Sequence, residues 1–124
     1  MKPRSTVPAP ELKDQTDVIK ALAALAHDSR LSLMRHLIQA GPDGVGAGQL
    51  AAFAKIGATT ASAQLLVLAN AGLVRSTRTG RQVVYCANYE ALRGIMAFLL
   101  HDCCGSRKEI CTGLVADLAA AAGP

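Results

Sequence analysis

Three cysteines near the end of the chain have the residue type and spacing that metal chemistry requires. Cys103 and Cys104 are adjacent, and Cys111 follows after a segment that contains Arg107 and Lys108. Nearby cations favour the thiolate form of cysteine, and thiolates are soft donors that select thiophilic ions. Trivalent arsenic prefers three sulfur ligands arranged in a pyramid. We therefore predict that Cys103, Cys104 and Cys111 bind one such ion.

The spacing of these cysteines constrains the backbone that carries them. In a continuous helix Cys104 and Cys111 would lie about 10 Å apart along the axis, because an α-helix rises about 1.5 Å per residue. Three sulfur atoms separated in this way cannot share one ion. We therefore expect the helix to break at Gly105-Ser106, where glycine lowers helix stability by about 1 kcal/mol.

Other candidate ligands are scattered along the chain. Cys86 lies in a segment rich in Val and Tyr, and we expect it to be packed as a small apolar residue. His27, His36 and His101 could bind zinc, although His27 and His36 are expected to have ordinary polar partners. Because cysteine with histidine is a normal ligand set for zinc, zinc is an alternative to arsenic at the cysteine cluster.

Apolar periodicity predicts the elements that must position these residues. Helices are predicted over residues 14–26, 28–40, 47–54, 58–71, 89–104 and 108–121, and strands over residues 73–79 and 82–87. Asp14, Asp28 and Asn88 are predicted helix caps. The glycine-rich segment 41–48 is predicted to be a flexible connection. The predicted inward residues of the second and fourth helices are Leu31, Met34, Leu37, Ile38, Ala61, Leu65 and Leu68.

The middle of the chain has the pattern of a helix-turn-helix followed by a β-hairpin. The helices over 47–54 and 58–71 are short and are joined by the tight turn Lys55-Ile56-Gly57. Thr79-Gly80 is the predicted hairpin turn. Small polar side chains stand at the start of the second of these helices, where they can contact phosphates and base edges: Thr59, Thr60, Ser62 and Gln64. Arg75, Arg78 and Arg81 flank the hairpin tip and can neutralise phosphates.

The length and composition are those of one compact domain with an aliphatic core. The chain has 124 residues, 51% of them hydrophobic, and a formal net charge of +4, which is compatible with DNA binding. We divide it into a disordered arm over 1–13, a DNA-binding and dimerisation domain over 14–104, and a ligand-binding segment with an Ala-rich tail over 105–124. No signal peptide or membrane span is expected, so we predict a cytoplasmic protein in which the cysteines stay reduced.

Four segments resemble the ArsR/SmtB family of metal-sensing winged-helix repressors. They read KALAALAHDSRL at 20–31, LLVLANAGLV at 65–74, GRQVVY at 80–85 and NYEALR at 88–93. The resemblance runs from about residue 18 to residue 111. It implies a mostly α-helical winged helix-turn-helix with a β-hairpin wing, in the order α-α-α-α-β-β-α, that forms a dimer.

The resemblance also implies a function. The protein would be a transcriptional repressor that binds an inverted-repeat operator in double-stranded DNA as a homodimer, and would not be an enzyme. It would leave the DNA when trivalent arsenic, or antimony, binds the cysteine thiolates, as in arsenical resistance, and it would need no organic cofactor. The apolar stripes of the first and fifth helices would form the dimer interface, with Val18, Leu22, Leu25, Leu92, Ile95, Met96 and Leu99.

Three family features are missing from the sequence. The family often has His-Leu-Lys on the recognition helix, where this chain has Gln64-Leu65-Leu66, and its best-known Cys-x-Cys arsenic motif is absent. The family's zinc site on the fifth helix is not matched either, because Glu90, His101 and Asp102 have the wrong spacing. His101 and Asp102 could still support a cysteine site through hydrogen bonds to its ligands.

Two further functions stay open at this point. The protein could be a repressor of the same fold that responds to zinc or cadmium, or one in which the cysteines are oxidised. In the oxidised case Cys111 would be the better disulfide partner, because a disulfide between adjacent cysteines is strained. A thiol enzyme or arsenic carrier is the least favoured function, since no Ser/His/Asp, Cys/His or Cys-x-x-Cys arrangement supports it.

Overall fold

Six helices and three strands make up the part of the chain that the structure describes. The structure is a computed structural model, and it describes residues 14–101 and 108–122. The elements in chain order are α1 (Gln15–Leu25), α2 (Asp28–Ala40), β1 (Val45–Gly46), α3 (Ala47–Ala54), α4 (Ala58–Asn70), β2 (Val74–Thr79), β3 (Gln82–Ala87), α5 (Tyr89–His101) and α6 (Lys108–Ala122). The predicted fold class, mostly α-helical with a β-hairpin, is confirmed.

Several predictions concern residues outside these described ranges. The arm over 1–13, the ligands Cys103 and Cys104, Asp102 and the helix break at Gly105-Ser106 all lie there. The end of the fifth helix, predicted at residue 104, lies there as well. The division of the chain at residue 104 therefore remains a prediction.

A short strand replaces part of the predicted flexible connection over 41–48. Val45 and Gly46 pair antiparallel with Tyr85 and Val84, so that β3 is central in a sheet of order β1-β3-β2. Gly44, just before β1, has φ of 82°, and a Cβ atom added there would lie 2.5 Å from the carbonyl oxygen of Tyr85. Glycine is therefore required at position 44, because a side chain there would separate β1 from β3.

Two of the three predicted helix caps are confirmed, and the third is wrong. The Asp14 carboxylate accepts a hydrogen bond from the Asp17 amide at 3.1 Å, and the Asn88 side chain accepts one from the Ala91 amide at 3.3 Å. At α2, however, His27 is the cap, since its Nδ1 accepts from the Arg30 amide at 3.4 Å. Asp28 is the first helical residue, where its negative charge favours the helix N-terminus.

The core is formed by leucines and small residues from the helices and from the start of β2. Met34, Leu37, Ala61, Leu65 and Leu68 are buried as predicted. The other buried residues with large side chains are Val18, Leu33, Leu50, Leu73, Val74 and Ile95.

The predicted inward face of α2 is wrong at two positions. Leu31 is 47% exposed and Ile38 is 37% exposed. The buried face of α2 is centred on Leu33 and Leu37, and an α-helix turns about 100° per residue. Leu31 and Ile38 therefore lie about 140° and about 120°, respectively, from the centre of the buried face.

Asn88 is the only buried polar residue in the described part of the chain, with 4% of its surface exposed. Its Nδ2 donates to the carbonyl oxygen of Gly72 at 2.8 Å, and its backbone amide donates to Leu73 at 2.9 Å. Since its side-chain oxygen also caps α5, Asn88 ties the end of α4 to the end of the hairpin and the start of α5.

Replacing Asn88 with Ala should lower the free energy of unfolding by roughly 2–4 kcal/mol, because a helix cap is lost and a buried carbonyl is left without its donor. Chemical denaturation of the two proteins measures this difference. Asn70→Ala is the matched control, since Asn70 is exposed at the end of α4, and it should change stability by no more than about 0.5 kcal/mol. Equal effects of the two changes would show that Asn88 does not hold these elements together.

Candidate nucleic-acid interface

The helix-turn-helix is formed by α3, a three-residue turn and α4. The axes of α3 and α4 differ by 105°, within the range usual for this motif. Lys55 ends α3 in the left-handed conformation, with φ of 58° and ψ of 42°. The Ile56 amide then donates to the carbonyl of Ala51 at 3.1 Å. Because Lys55 is exposed in this turn, its ammonium group is free to contact a ligand outside the protein.

One side of α4 packs on the core, and the opposite side forms an exposed ridge. Thr59, Ala63, Leu66 and Asn70 form this ridge, which follows from their spacing of three and four residues. Ser62 and Thr60 are exposed on its two flanks. The helix carries no Asp, Glu, Lys or Arg, so it offers hydroxyl, amide and apolar groups to a ligand and no formal charge.

Gln64, predicted as a DNA contact, lies toward α1 and α2 instead of on the ridge. Its Oε1 accepts a hydrogen bond from Nη1 of Arg30 at 2.8 Å. The Nε of the same guanidinium donates to the carbonyl oxygen of Ala24. Arg30 thus links the end of α1 to α4, and the carbonyl of Gln64 is engaged within the protein. A partner 34 residues away in sequence is not visible in the local pattern that suggested the DNA role.

The hairpin presents the three predicted arginines at its surface. Thr79 pairs with Gln82, so Gly80 and Arg81 form a two-residue loop, with Gly80 at φ of 62°. Arg75, Arg78 and Arg81 are all exposed. None of them forms an ion pair with any residue that the structure describes. Their positive charge is therefore available to an anionic partner.

Lys55 is a further free cation that the sequence analysis did not single out. It is exposed and, like the arginines, has no ion pair with the described residues. The signal that could have identified it is its position in the turn of the helix-turn-helix, where a long side chain extends into solvent.

The predicted thiol site falls largely outside the described residues. Cys103 and Cys104 lie outside the described residues. Cys111 lies near the start of α6, and its side chain is not among those described. Within the residues whose side chains are described, no group of three His, Cys, Asp or Glu could hold a metal ion. Cys86 is half-buried on β3, opposite Arg75 on β2.

Two of the predicted alternative zinc ligands have structural partners instead. His27 caps α2. The ring of His36 stacks on Phe53, with 3.9 Å between ring centroids and 17° between planes. The hydrogen bond of His27 agrees with the expectation of an ordinary polar partner, whereas the contact of His36 is a ring stack.

The predicted dimer residues divide into buried and exposed positions. Val18 and Ile95 lie in the chain's own core, and Leu25 and Leu92 are partly buried against it. Leu22, Met96 and Leu99 are exposed, as are two apolar residues not predicted, Ile19 and Phe98. Since α1 and α5 contact each other, these exposed side chains stand on neighbouring helices.

Comparison with known proteins gives matches to solved structures. No protein-family model matches the sequence, and no curated protein matches it. The homodimeric winged helix-turn-helix DNA-binding domain of a possible ArsR-family transcriptional regulator from Mycobacterium bovis matches with a TM-score of 0.58 and 26% identity, over 73% of this chain and 82% of that one.

Two further structures show the same fold at lower identity. An ArsR-like transcriptional regulator from Rhodococcus sp. RHA1 has a TM-score of 0.61 and 23% identity, over 84% of this chain and 93% of that one. HlyU from Vibrio cholerae N16961 has a TM-score of 0.57 and 21% identity, over 70% of this chain and 95% of that one. The fold is thus a winged helix-turn-helix, and β2–β3 is its wing. This is a fold of transcriptional regulators, which are not enzymes.

No single helix among the described residues has the length and apolar composition to cross a membrane. Among the described residues, only α3 and α4 taken together have the length and apolar composition required, and the two helices are bent by 105° relative to each other in the helix-turn-helix.

Gln64→Ala should lower the free energy of unfolding by about 1 kcal/mol, because the half-buried Arg30 guanidinium loses its acceptor. The matched control is Thr60→Ala, one turn earlier on α4 and exposed, which should leave stability within about 0.5 kcal/mol of the parent. Thermal or chemical denaturation measures both. If Gln64→Ala is as stable as Thr60→Ala, the bond to Arg30 does not hold α4 in place.

Proposed function

We propose that this chain is an ArsR-type transcriptional repressor that binds operator DNA as a homodimer. The observation that carries the proposal is the exposed, uncharged ridge of α4 beside a wing with three arginines that have no ion-pair partner among the described residues. The major groove of B-DNA is about 12 Å wide and admits an α-helix. The fold that this chain shares with a homodimeric DNA-binding domain supports the same function.

Base contacts and phosphate contacts would come from different elements. Thr59, Thr60 and Ser62 stand at the start of α4, where hydroxyl groups can reach base edges. Arg75, Arg78, Arg81 and Lys55 would bind phosphates, which dominate the affinity of proteins for DNA. Gln64 is not included among these contacts, because its carbonyl accepts from Arg30 on the side of α4 that faces α1 and α2.

The dimer would form through the exposed apolar residues of α1 and α5. Ile19 and Leu22 on α1 and Met96 and Leu99 on α5 are exposed in the single chain. A two-fold dimer requires an inverted-repeat site with half-sites about 34–36 Å apart, or a multiple of this distance.

Sedimentation should show a dimer at micromolar concentration, and a monomer there would contradict this part of the proposal.

Arg78→Ala and Arg81→Ala should each weaken binding to all DNA sequences, because a cation that neutralises a phosphate is removed. The slope of log affinity against log salt should become shallower by about one unit for each phosphate that is no longer neutralised. Lys55→Gly should do the same while leaving the fold as stable or more stable, because glycine adopts the left-handed conformation without strain. Fluorescence anisotropy over a range of salt concentrations measures the slope.

Arg93→Ala is the control for these changes, because Arg93 on α5 is exposed and pairs with Glu90 at 3.6 Å. It should leave the salt slope unchanged. If the wing variants also keep the parental slope, the wing does not contact DNA and the proposed interface is wrong.

The inducer in this proposal is trivalent arsenic held by Cys103, Cys104 and Cys111. The support is the chemistry of three thiols within one short segment. The segment follows α5, which carries part of the proposed dimer face. An ion that prefers the DNA-incompetent dimer with a coupling of about 1–3 kcal/mol would weaken DNA binding roughly 5–150-fold.

Changing any one of the three cysteines to Ser should leave DNA binding intact and abolish release by arsenite, because the three-sulfur site is incomplete. Cys86→Ser is the control and should release normally. Anisotropy of labelled operator during titration with arsenite measures release. Release of Cys111→Ser at the parental arsenite concentration would show that two thiols suffice.

A zinc or cadmium sensor and a thiol-redox sensor are the alternatives for the same cysteines. Native mass spectrometry of the dimer with arsenite, zinc, cadmium and peroxide separates them. An arsenic adduct accompanied by loss of DNA supports the proposal. Release by zinc, cadmium or peroxide alone would replace arsenic as the inducer while leaving the DNA-binding function in place.

A further inference from the structure

We infer that Leu66 is a specificity residue that recognises the 5-methyl group of a pyrimidine, most often thymine, in the major groove. The inference deepens the proposed DNA-binding function and rests on it. Leu66 is 59% exposed and lies in the middle of the ridge of α4, between Ala63 and Asn70. It is the largest apolar side chain on that ridge.

The position of Leu66 places it beside the residues proposed to contact bases. It lies two turns beyond Thr59 on the same side of the helix, which is about 10 Å along the axis at 1.5 Å per residue. That distance corresponds to about three base pairs at 3.4 Å per step. When the ridge faces the groove, Thr59 and Leu66 contact different base pairs of one half-site.

The chemistry of the ridge determines what Leu66 can recognise. Since α4 has no Arg or Lys, it cannot make the bidentate contact to guanine that is commonest in major-groove recognition. The apolar group that the major groove presents is the C5 methyl of thymine, and apolar side chains recognise it by contact. A leucine at this position gains affinity by removing that methyl and its own surface from water.

The location of Leu66 distinguishes it from the exposed apolar residues assigned to the dimer. Ile19, Leu22, Met96 and Leu99 stand on α1 and α5, two helices in contact. Leu66 instead stands on α4, facing away from the buried residues Ala61, Leu65 and Leu68. Its neighbours along the ridge, Ala63 and Asn70, are small or polar, and Val67 on the flank is the other large apolar side chain exposed on α4. So small an apolar surface suits a contact with one methyl group better than an extended protein interface.

The test uses DNA that differs only in this methyl group. A duplex selected in vitro by the parental protein is prepared with deoxyuridine in place of each thymine in turn, and with 5-methylcytosine or cytosine at the same positions. At one position in each half-site, removal of the methyl should weaken parental binding about fourfold, from the burial of one carbon group. At the same position, the parental protein should bind the duplex with 5-methylcytosine more tightly than the duplex with cytosine, by a similar factor.

Leu66→Ala should bind the duplexes with and without the methyl equally at that position, while methyl effects elsewhere persist. The Leu66→Ala protein should fold normally, because Leu66 is not part of the core. Asn70→Ala is the matched control, because Asn70 is exposed on the same ridge and has no proposed base contact, and it should retain the methyl dependence assigned to Leu66.

Two results would overturn the inference without touching the proposed function. One is sequence-specific binding by the parental protein with no methyl-dependent position. The other is the same methyl dependence in Leu66→Ala as in the parent, which would assign the contact to another residue. If the protein binds no duplex and Leu66→Ala instead changes its oligomeric state, both the inference and the DNA-binding proposal are wrong.

Discussion

The hydrogen bonds of Asn88 fix the relation between the three parts of this structure. One side chain accepts from the first turn of α5 and donates to the carbonyl that follows α4. Its backbone amide bonds to Leu73 at the start of the wing. Helix α4, the wing and helix α5 therefore meet at one buried residue. Because a buried amide has a strict requirement for partners, the three elements cannot shift independently without breaking one of these bonds.

Local signals in the sequence predicted most of the fold. The caps at Asp14 and Asn88, the helix over Ala47–Ala54 and the hairpin strand Gln82–Ala87 were all predicted, because capping residues, periodicity and turn residues act within a few positions. Strand β1 was missed, since two residues have no recognisable period and the strand exists through pairing with β3. The cap of α2 was assigned to Asp28, because a histidine ring is a rarer acceptor than a carboxylate.

The candidate site was predicted less completely than the fold. The wing arginines are exposed and have no ion-pair partner among the described residues. Arg78 and Arg81 lie near the hairpin tip as predicted, whereas Arg75 pairs with Cys86 near the other end of the strands. Gln64 has a partner on α2 that only the tertiary structure reveals. Lys55 was not predicted as a phosphate contact, and the structure shows it exposed in the turn between α3 and α4. The roles of the cysteines rest on thiol chemistry and on the family resemblance, because Cys103 and Cys104 lie outside the described residues.

The partial pairing of β1 gives the wing two regions of different stiffness. Val84 and Tyr85 on β3 are held from both sides, by β1 and by β2. Val83 and Gln82, nearer the tip, are held by β2 alone. A two-stranded ribbon is much less stable than a three-stranded sheet, so the tip of the wing, which carries Arg78 and Arg81, is more compliant than the part that is paired with β1. A compliant tip can follow differences in groove width between DNA sequences, and these differences carry sequence information that no base contact reads.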